Sequence, residues 1–271
     1  MNADKKGDPH RVYDRQLLLN GPKRDTVLDL WEVQRYGLDS YGDADYVSIY
    51  GMRPADWHAT GVRLLGRTAV ECTRDGLADA IGRDVAAIAR TASRAAGTFV
   101  IDPFVGSGNT LYWILRHVPG ARGLGFELDT TVFRLTVGNF AVLASPLEIQ
   151  NSDYRTGLMN ATLQTDRFLI TFIAPPWGDA LSSSGLDLLH TTPPVAEIVE
   201  FLFQRFPQNH VLCVIQIYET VEPASLADMQ RRFDWSAVRI YSLNAPGQNH
   251  GILLGTRGWT PEAVTPAGGN A

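Results

Sequence analysis

From Gly97 onward, short apolar runs rich in β-branched and aromatic residues alternate with segments whose apolar positions recur every three to four residues. The first kind predicts buried strands and the second amphipathic helices. Strands are expected over Thr98 to Asp102, Gly123 to Glu127, a short stretch near Glu148 to Gln150, Phe168 to Ala174, and His210 to Tyr218. Helices are expected after the Gly106 to Gly108 turn to about Val118, from Thr130 to about Leu143, from about Pro194 to Phe206, and near Pro223 to Arg232. Such alternation implies a mostly parallel sheet with helices on both faces. Two closing strands, about Ala237 to Leu243 and Gly251 to Thr256, have only the polar loop Asn244 to His250 between them, which suits an antiparallel hairpin at one sheet edge.

Upstream, Asp75 to Ala95 reads as an amphipathic helix covering the sheet. The segment from Arg11 to Met52 is rich in aromatics, among them Tyr13, Trp31, Tyr36, Tyr41, Tyr46 and Tyr50, and forms either a packed cap or a lid over a flat ligand. The division expected is a cap or lid over 1–70, an α/β domain over 71–260, and a disordered tail over 261–271, with residues 1 to about 10 also frayed.

Composition narrows the class of function. The 271 residues are 45% hydrophobic, enough for one large α/β core. Cys72 and Cys213 stand far apart without metal-ligand spacing, so neither a disulfide framework nor a metal site is expected, and a cytoplasmic setting fits. The start of the chain has no apolar core for a signal peptide, and no stretch reaches the ~18 apolar residues a membrane span needs. Net charge is −5 with Lys and Arg scattered, which favours a small-molecule partner over a long nucleic acid.

Candidate chemistry collects at the ends of the first four strands. Asp102 closes the first and heads DPFVGSGNT, where Gly106 and Gly108 can take positive φ and let a ligand approach the backbone. Glu127 closes the second, where a carboxylate commonly binds two ribose hydroxyls, and Asp153 follows the third, placed to accept from an adenine amine. The fourth runs into Ala174-Pro175-Pro176-Trp177; the prolines stop the ladder and fix the backbone, and Trp177 offers a flat face for stacking. Any one of these carboxylates, taken singly, also reads as a solvated strand-end group, and the Pro-Pro-Trp turn as a packed loop.

DPFVGSGNT, FELD and APPW resemble motifs of S-adenosylmethionine-dependent methyltransferases that modify exocyclic amines, and the chain is most similar to the trimethylguanosine synthase family of cap guanine methyltransferases. The shared elements are Gly108-Asn109-Thr110, Pro175-Pro176-Trp177-Gly178, and more loosely Trp31 with Gln34-Arg35-Tyr36, over roughly residues 30–180. The resemblance implies a Rossmann-like seven-stranded methyltransferase sheet, mostly parallel with an antiparallel C-terminal hairpin. It implies S-adenosylmethionine held by Thr73, Asp102, Pro103, Phe104, Gly106, Gly108, Asn109, Thr110, Glu127, Leu128, Asp153 and Ala174. It implies an acceptor held by Trp31, Tyr36, Pro175 and Trp177, with Ala174, Pro175, Pro176, Trp177 and Asp179 at the reacting centre. Ala174 departs from the polar residue usual before Pro-Pro, and no basic phosphate-binding cluster stands out, which sets the cap substrate apart.

The function expected is therefore methyl transfer to a nitrogen of a small, flat, purine-like acceptor. Two alternatives stay open: methylation of a base in RNA or DNA, and a catalytically silent cofactor-binding protein. An NAD enzyme is disfavoured because the third glycine of GxGxxG is missing.

Overall fold

The computed structural model describes residues 12–92, 97–145, 147–161, 168–244 and 248–262. Most of both expected tails, the last part of the helix expected to reach Ala95, and the centre of the closing loop lie outside these.

The N-terminal segment folds into a helical unit: α1 (Leu30–Tyr41), α2 (Pro54–Ala59), α3 (Gly66–Glu71) and the longer α4 (Asp75–Ala89), preceded by a π-helical turn at Gln16–Asn20. The start of α1 is fixed by a capping box: the Asp29 side chain accepts from the N3 backbone while Glu32 accepts from the Asp29 N–H at 2.9 Å. Its end is fixed by Gly42, left-handed at φ +73°. Leu18, Leu28, Val33, Tyr36, Ile49 and Trp57 bury one face of this unit together with Phe140, which belongs to the sheet domain.

Beyond it follow β1 (Thr98–Asp102), α5 (Asn109–His117), β2 (Arg122–Glu127), α6 (Thr130–Val142), β3 (Glu148–Asn151), α7 (Tyr154–Asn160) and β4 (Phe168–Ile173). Then come a two-residue hairpin, β5 (Leu181–Ser182) and β6 (Gly185–Leu186), then α8 (Val195–Arg205), β7 (Val211–Tyr218), α9 (Pro223–Gln230), β8 (Trp235–Tyr241) and β9 (His250–Arg257). Seven strands form one sheet in the order β3-β2-β1-β4-β7-β9-β8. The five strands from β3 to β7 are parallel, and β9 is antiparallel to both β7 and β8. The expected sheet and its closing hairpin are both present.

All six residues of β4 are buried, with Leu169 and Ile173 in the core on one face and Ile170 and Phe172 in the core on the other. Burial on two faces is why this strand reads as a continuous apolar run rather than an alternating one. Each such side chain stabilises the fold by about 1.5–3 kcal/mol relative to exposure.

Three features were not legible in the pattern. The helices α2 and α3 are six residues each, and α1 buries Glu32 and Gly37 alongside Val33 and Tyr36, so its inner face does not read as apolar. α7 carries Gly157 mid-helix, which sequence reasoning counts against a helix; the glycine is required because a Cβ there would run into the Phe126 ring. The hairpin β5–β6 is held from outside, by the Leu186 N–H donating to the Thr220 carbonyl and the Glu222 N–H donating to the Leu186 carbonyl. These bonds tie the insert after β4 to the loop after β7, so both strand ends move as one wall.

Candidate functional site

The carboxyl ends of β1, β2, β4 and β7 converge at one end of the sheet, and the glycine turn between β1 and α5 lies at their centre. The Val105 N–H donates to the Phe126 carbonyl at 2.9 Å, the Gly106 N–H to Glu127 Oε2 at 3.1 Å, and Thr136 Oγ1 to the Gly106 carbonyl at 2.7 Å, so the turn is strapped to β2 and α6. Its two glycines have different reasons. Both take left-handed φ, +50° at Gly106 and +74° at Gly108. A Cβ on Gly108 would strike the Phe140 ring at 2.6 Å, whereas one on Gly106 would meet nothing closer than the Phe104 carbonyl at 3.9 Å. Gly108 therefore serves packing, and Gly106 faces open space suited to a ligand.

Asp102 is 2% exposed, and the one hydrogen bond to its carboxylate among the described residues comes from the Phe104 N–H at 3.0 Å. Burial pushes its pKa up to about 7, against the lowering by that bond, and the nearby Glu127 adds to the rise. Glu127 accepts from the Gly106 N–H through Oε2 and from the Asp129 N–H at 2.8 Å through Oε1; burial raises its pKa and these two donors oppose the rise. Beside it Leu128 stands 74% exposed, an apolar side chain left uncovered at the end of a strand.

Open space at Gly106, a buried carboxylate with spare acceptor capacity, a strand-end carboxylate and an uncovered apolar platform are what S-adenosylmethionine requires of its ammonium, ribose and adenine sites. The residues present fit that group. Pro103 is buried behind the turn, Phe104 packs on Tyr154 with ring centroids 5.3 Å apart, and Thr110 is buried in the first turn of α5.

Other expected contacts are placed differently. Asn109 is 1% exposed and its amide is occupied within the protein: Nδ2 donates to the Thr73 carbonyl at 2.7 Å and to Asp75 Oδ1 at 3.1 Å, while Oδ1 accepts from the Tyr50 N–H at 2.7 Å. It clasps the N-terminal unit to the glycine turn, assisted by the Tyr50 hydroxyl, which donates to the Ser107 carbonyl. Asp153 caps α7, its Oδ1 accepting from the Arg155 N–H at 2.9 Å and the Thr156 N–H at 3.3 Å. Tyr36 is 1% exposed in the N-terminal core, with its hydroxyl on that of Tyr41 at 3.4 Å; burial removes it from any substrate surface. Trp31 packs edge-on against Tyr13 at 5.3 Å, on α1.

At the end of β4, Ala174 and Trp177 are half-buried, Pro175 is buried, and Pro176 and Asp179 are exposed. Trp177 is not alone. Its ring lies 5.2 Å from that of His250 and 6.3 Å from that of Tyr218, and those two rings are 6.1 Å apart. Tyr218 ends β7 and His250 begins β9, and the antiparallel register places them opposite one another. Behind them Gln216 donates from Nε2 to His250 Nδ1 at 3.1 Å and accepts at Oε1 from Thr73 Oγ1 at 3.5 Å. Burial, then Arg74 and Arg15, depress the His250 pKa to about 4, so the imidazole is neutral at ordinary pH. The Arg74 guanidinium sits 3.8 Å over the Tyr46 ring and donates to Asn244 Oδ1 at 2.7 Å. Tyr218, His250, Gln216 and Arg74 were not foreseen; the sequence signal was a His at the mouth of the final strand, readable only once that strand is known to return beside β7.

No family model and no curated protein matches the chain. Solved structures do resemble it in outline. A methyltransferase from Geobacter sulfurreducens is 16% identical, with 65% of this chain and 77% of that one covered at a TM-score of 0.40. An rRNA methylase from Streptococcus thermophilus is 11% identical, with 65% and 93% covered at 0.43. The human methyltransferase 10 domain containing protein is 13% identical, with 68% and 83% covered at 0.44. The strand order β3-β2-β1-β4-β7-β9-β8 is that of a mostly parallel seven-stranded Rossmann-like sheet with an antiparallel edge, as expected. At these identities and TM-scores the likeness carries no argument about what this chain does, and the trimethylguanosine synthase resemblance rests on the motifs quoted above. Among the described residues there is no helix long and apolar enough to cross a membrane and no cluster of His, Cys, Asp and Glu able to hold a metal ion.

Proposed function

We propose that the chain is an S-adenosylmethionine-dependent methyltransferase that modifies a nitrogen on a small, flat heteroaromatic acceptor. The observation that carries this is the cluster of the Trp177, Tyr218 and His250 rings at the same sheet end as the open face of Gly106 and the carboxylates of Asp102 and Glu127. In this reading Asp102 takes the cofactor's ammonium, Glu127 its ribose and Leu128 its adenine. When bound, the cofactor supplies a methyl group on a sulfonium, which a correctly placed lone pair can displace without a strong base.

The chain's own residues then have positioning to do. Trp177 stacks the acceptor, a contact worth about 1–3 kcal/mol per aromatic base. Pro175 and Pro176 fix φ, so the backbone that orients the amine loses no conformational freedom on binding. Ala174 has no polar side chain, which leaves the carbonyls of Ala174 and Pro175 to accept from the amine. Asp179, exposed at the rim, takes the released proton directly or through water.

The test is calorimetric binding of S-adenosylmethionine alongside transfer of labelled methyl to a panel of purines and other heteroaromatics. Trp177→Ala is expected to leave cofactor affinity nearly intact and abolish turnover, and Glu127→Ala to weaken cofactor binding first. Equal loss of both functions in Trp177→Ala would sink the stacking role, and no binding of the cofactor to the wild type would sink the reading as a whole.

A further inference from the structure

The ring beside Trp177 has a defined hydrogen-bonding state. Because the Gln216 amide donates from Nε2 into His250 Nδ1, the imidazole proton resides on Nε2. That Nε2–H has no partner among the described residues, on a ring 5.2 Å from Trp177 and tilted 44° to it. The tilt keeps the two rings from stacking face to face, so the imidazole lies beside the indole and not parallel on it.

We propose that His250 determines specificity for an uncharged acceptor ring, its Nε2–H donating to a ring nitrogen on the edge of the molecule stacked on Trp177. This deepens the methyltransferase reading and rests on it. A donor selects a ring with a lone pair on that edge and leaves one whose edge nitrogen is alkylated without a match. The charges facing His250 work in the same direction. Arg74, mounted on Tyr46 and bonded to the neutral Asn244, and the exposed Arg15 both bear on the imidazole, with Glu219 the opposing anion. The Arg74 charge bears against a cationic ring such as 7-methylguanosine, although the Trp177 face alone would attract one. The residues therefore point away from the alkylated guanine that the motif resemblance would suggest.

The experiment uses the full chain with S-adenosylhomocysteine present, and guanosine and 7-methylguanosine as probes, with binding followed through tryptophan fluorescence and NMR. Guanosine is expected to bind at least ~10-fold more tightly than 7-methylguanosine, on the scale of one lost hydrogen bond. His250→Phe should erase that preference, and His250→Gln, which keeps an amide N–H near the Nε2 position, should restore part of it. Nitrogen shifts of the wild-type imidazole should show a protonated Nε2 and a bare Nδ1, independently of whether any variant folds. Equal or tighter binding of 7-methylguanosine, no binding of guanosine, or a proton on Nδ1 overturns the proposal. Failure of S-adenosylhomocysteine itself to bind is a separate result, and it overturns the underlying methyltransferase reading as well.

Discussion

Replacing Asp102 with asparagine should make the unliganded protein more stable at alkaline pH, although the residue is central to the site. Asn keeps the shape and the oxygen that accepts from the Phe104 N–H, removes the ability to ionise, and puts a pH-independent NH2 in place of the second oxygen, so the pH-dependent part of the difference reports the ionisation. In the folded protein burial lifts the Asp102 pKa from its ordinary 3.8 to about 7. Between those values the native state holds a proton that the unfolded chain has released, so stability falls as pH rises. Three units at 1.36 kcal/mol each give a cost of about 4 kcal/mol above pH 7 and almost none at pH 4. In a domain of this size that is roughly 10 °C in Tm.

Thermal melts of wild type and Asp102→Asn across pH 4 to 8.5 should therefore start close together and diverge as pH rises, with the variant higher. A difference independent of pH, or a variant less stable at pH 8, would refute the account of Asp102 as an ionised group held under strain by burial. The same carboxylate ties the cofactor to pH. An ammonium placed against Asp102 favours its charged form, so wild-type affinity for S-adenosylmethionine should increase as pH rises through about 7 and lose that dependence in Asp102→Asn.

Other expectations follow from packing and hydrogen bonding. Gly108→Ala combines a left-handed φ with a Cβ placed 2.6 Å from the Phe140 ring, and should cost about 2–4 kcal/mol in urea unfolding. Asn109→Ala strips partners from the Thr73 carbonyl and the Tyr50 N–H and should cost about 2–4 kcal/mol, with faster amide exchange at Tyr50 as the local readout. Lowering the pH toward 4 protonates His250 at Nδ1, which should break the Gln216 contact, with a pKa near 4 read by NMR in the unliganded protein.

The division between what the sequence disclosed and what it withheld follows contact range. Asp102, Glu127 and the Pro175-Pro176-Trp177 turn stand at strand ends, and strand ends are set by local apolar runs, so their convergence follows from a parallel sheet alone. Asn109 gives the opposite case. Its type and place in DPFVGSGNT suggested a ligand contact, but its partners at Thr73 and Tyr50 are 36 and 59 residues away, and nothing local announces them. His250 is illegible for a related reason: a hairpin at the end of the chain was expected, but the register that sets His250 against Tyr218 arises only because β9 enters between β7 and β8.

The N-terminal aromatics show how the two kinds of information combine. Read by composition, they suggested either a packed cap or a lid over a flat ligand. In the structure Tyr36 and Tyr50 are core residues, and Tyr46, stacked on Tyr41 with ring centroids 3.5 Å apart, carries the Arg74 guanidinium on its other side. On the proposed reading, the N-terminal unit would bear on the acceptor through the Arg74 cation that Tyr46 carries, and its contribution to recognition would be charge. That is why Arg74, and not Tyr36 or Trp31, is the N-terminal residue whose removal should alter the choice between a neutral and a cationic ring.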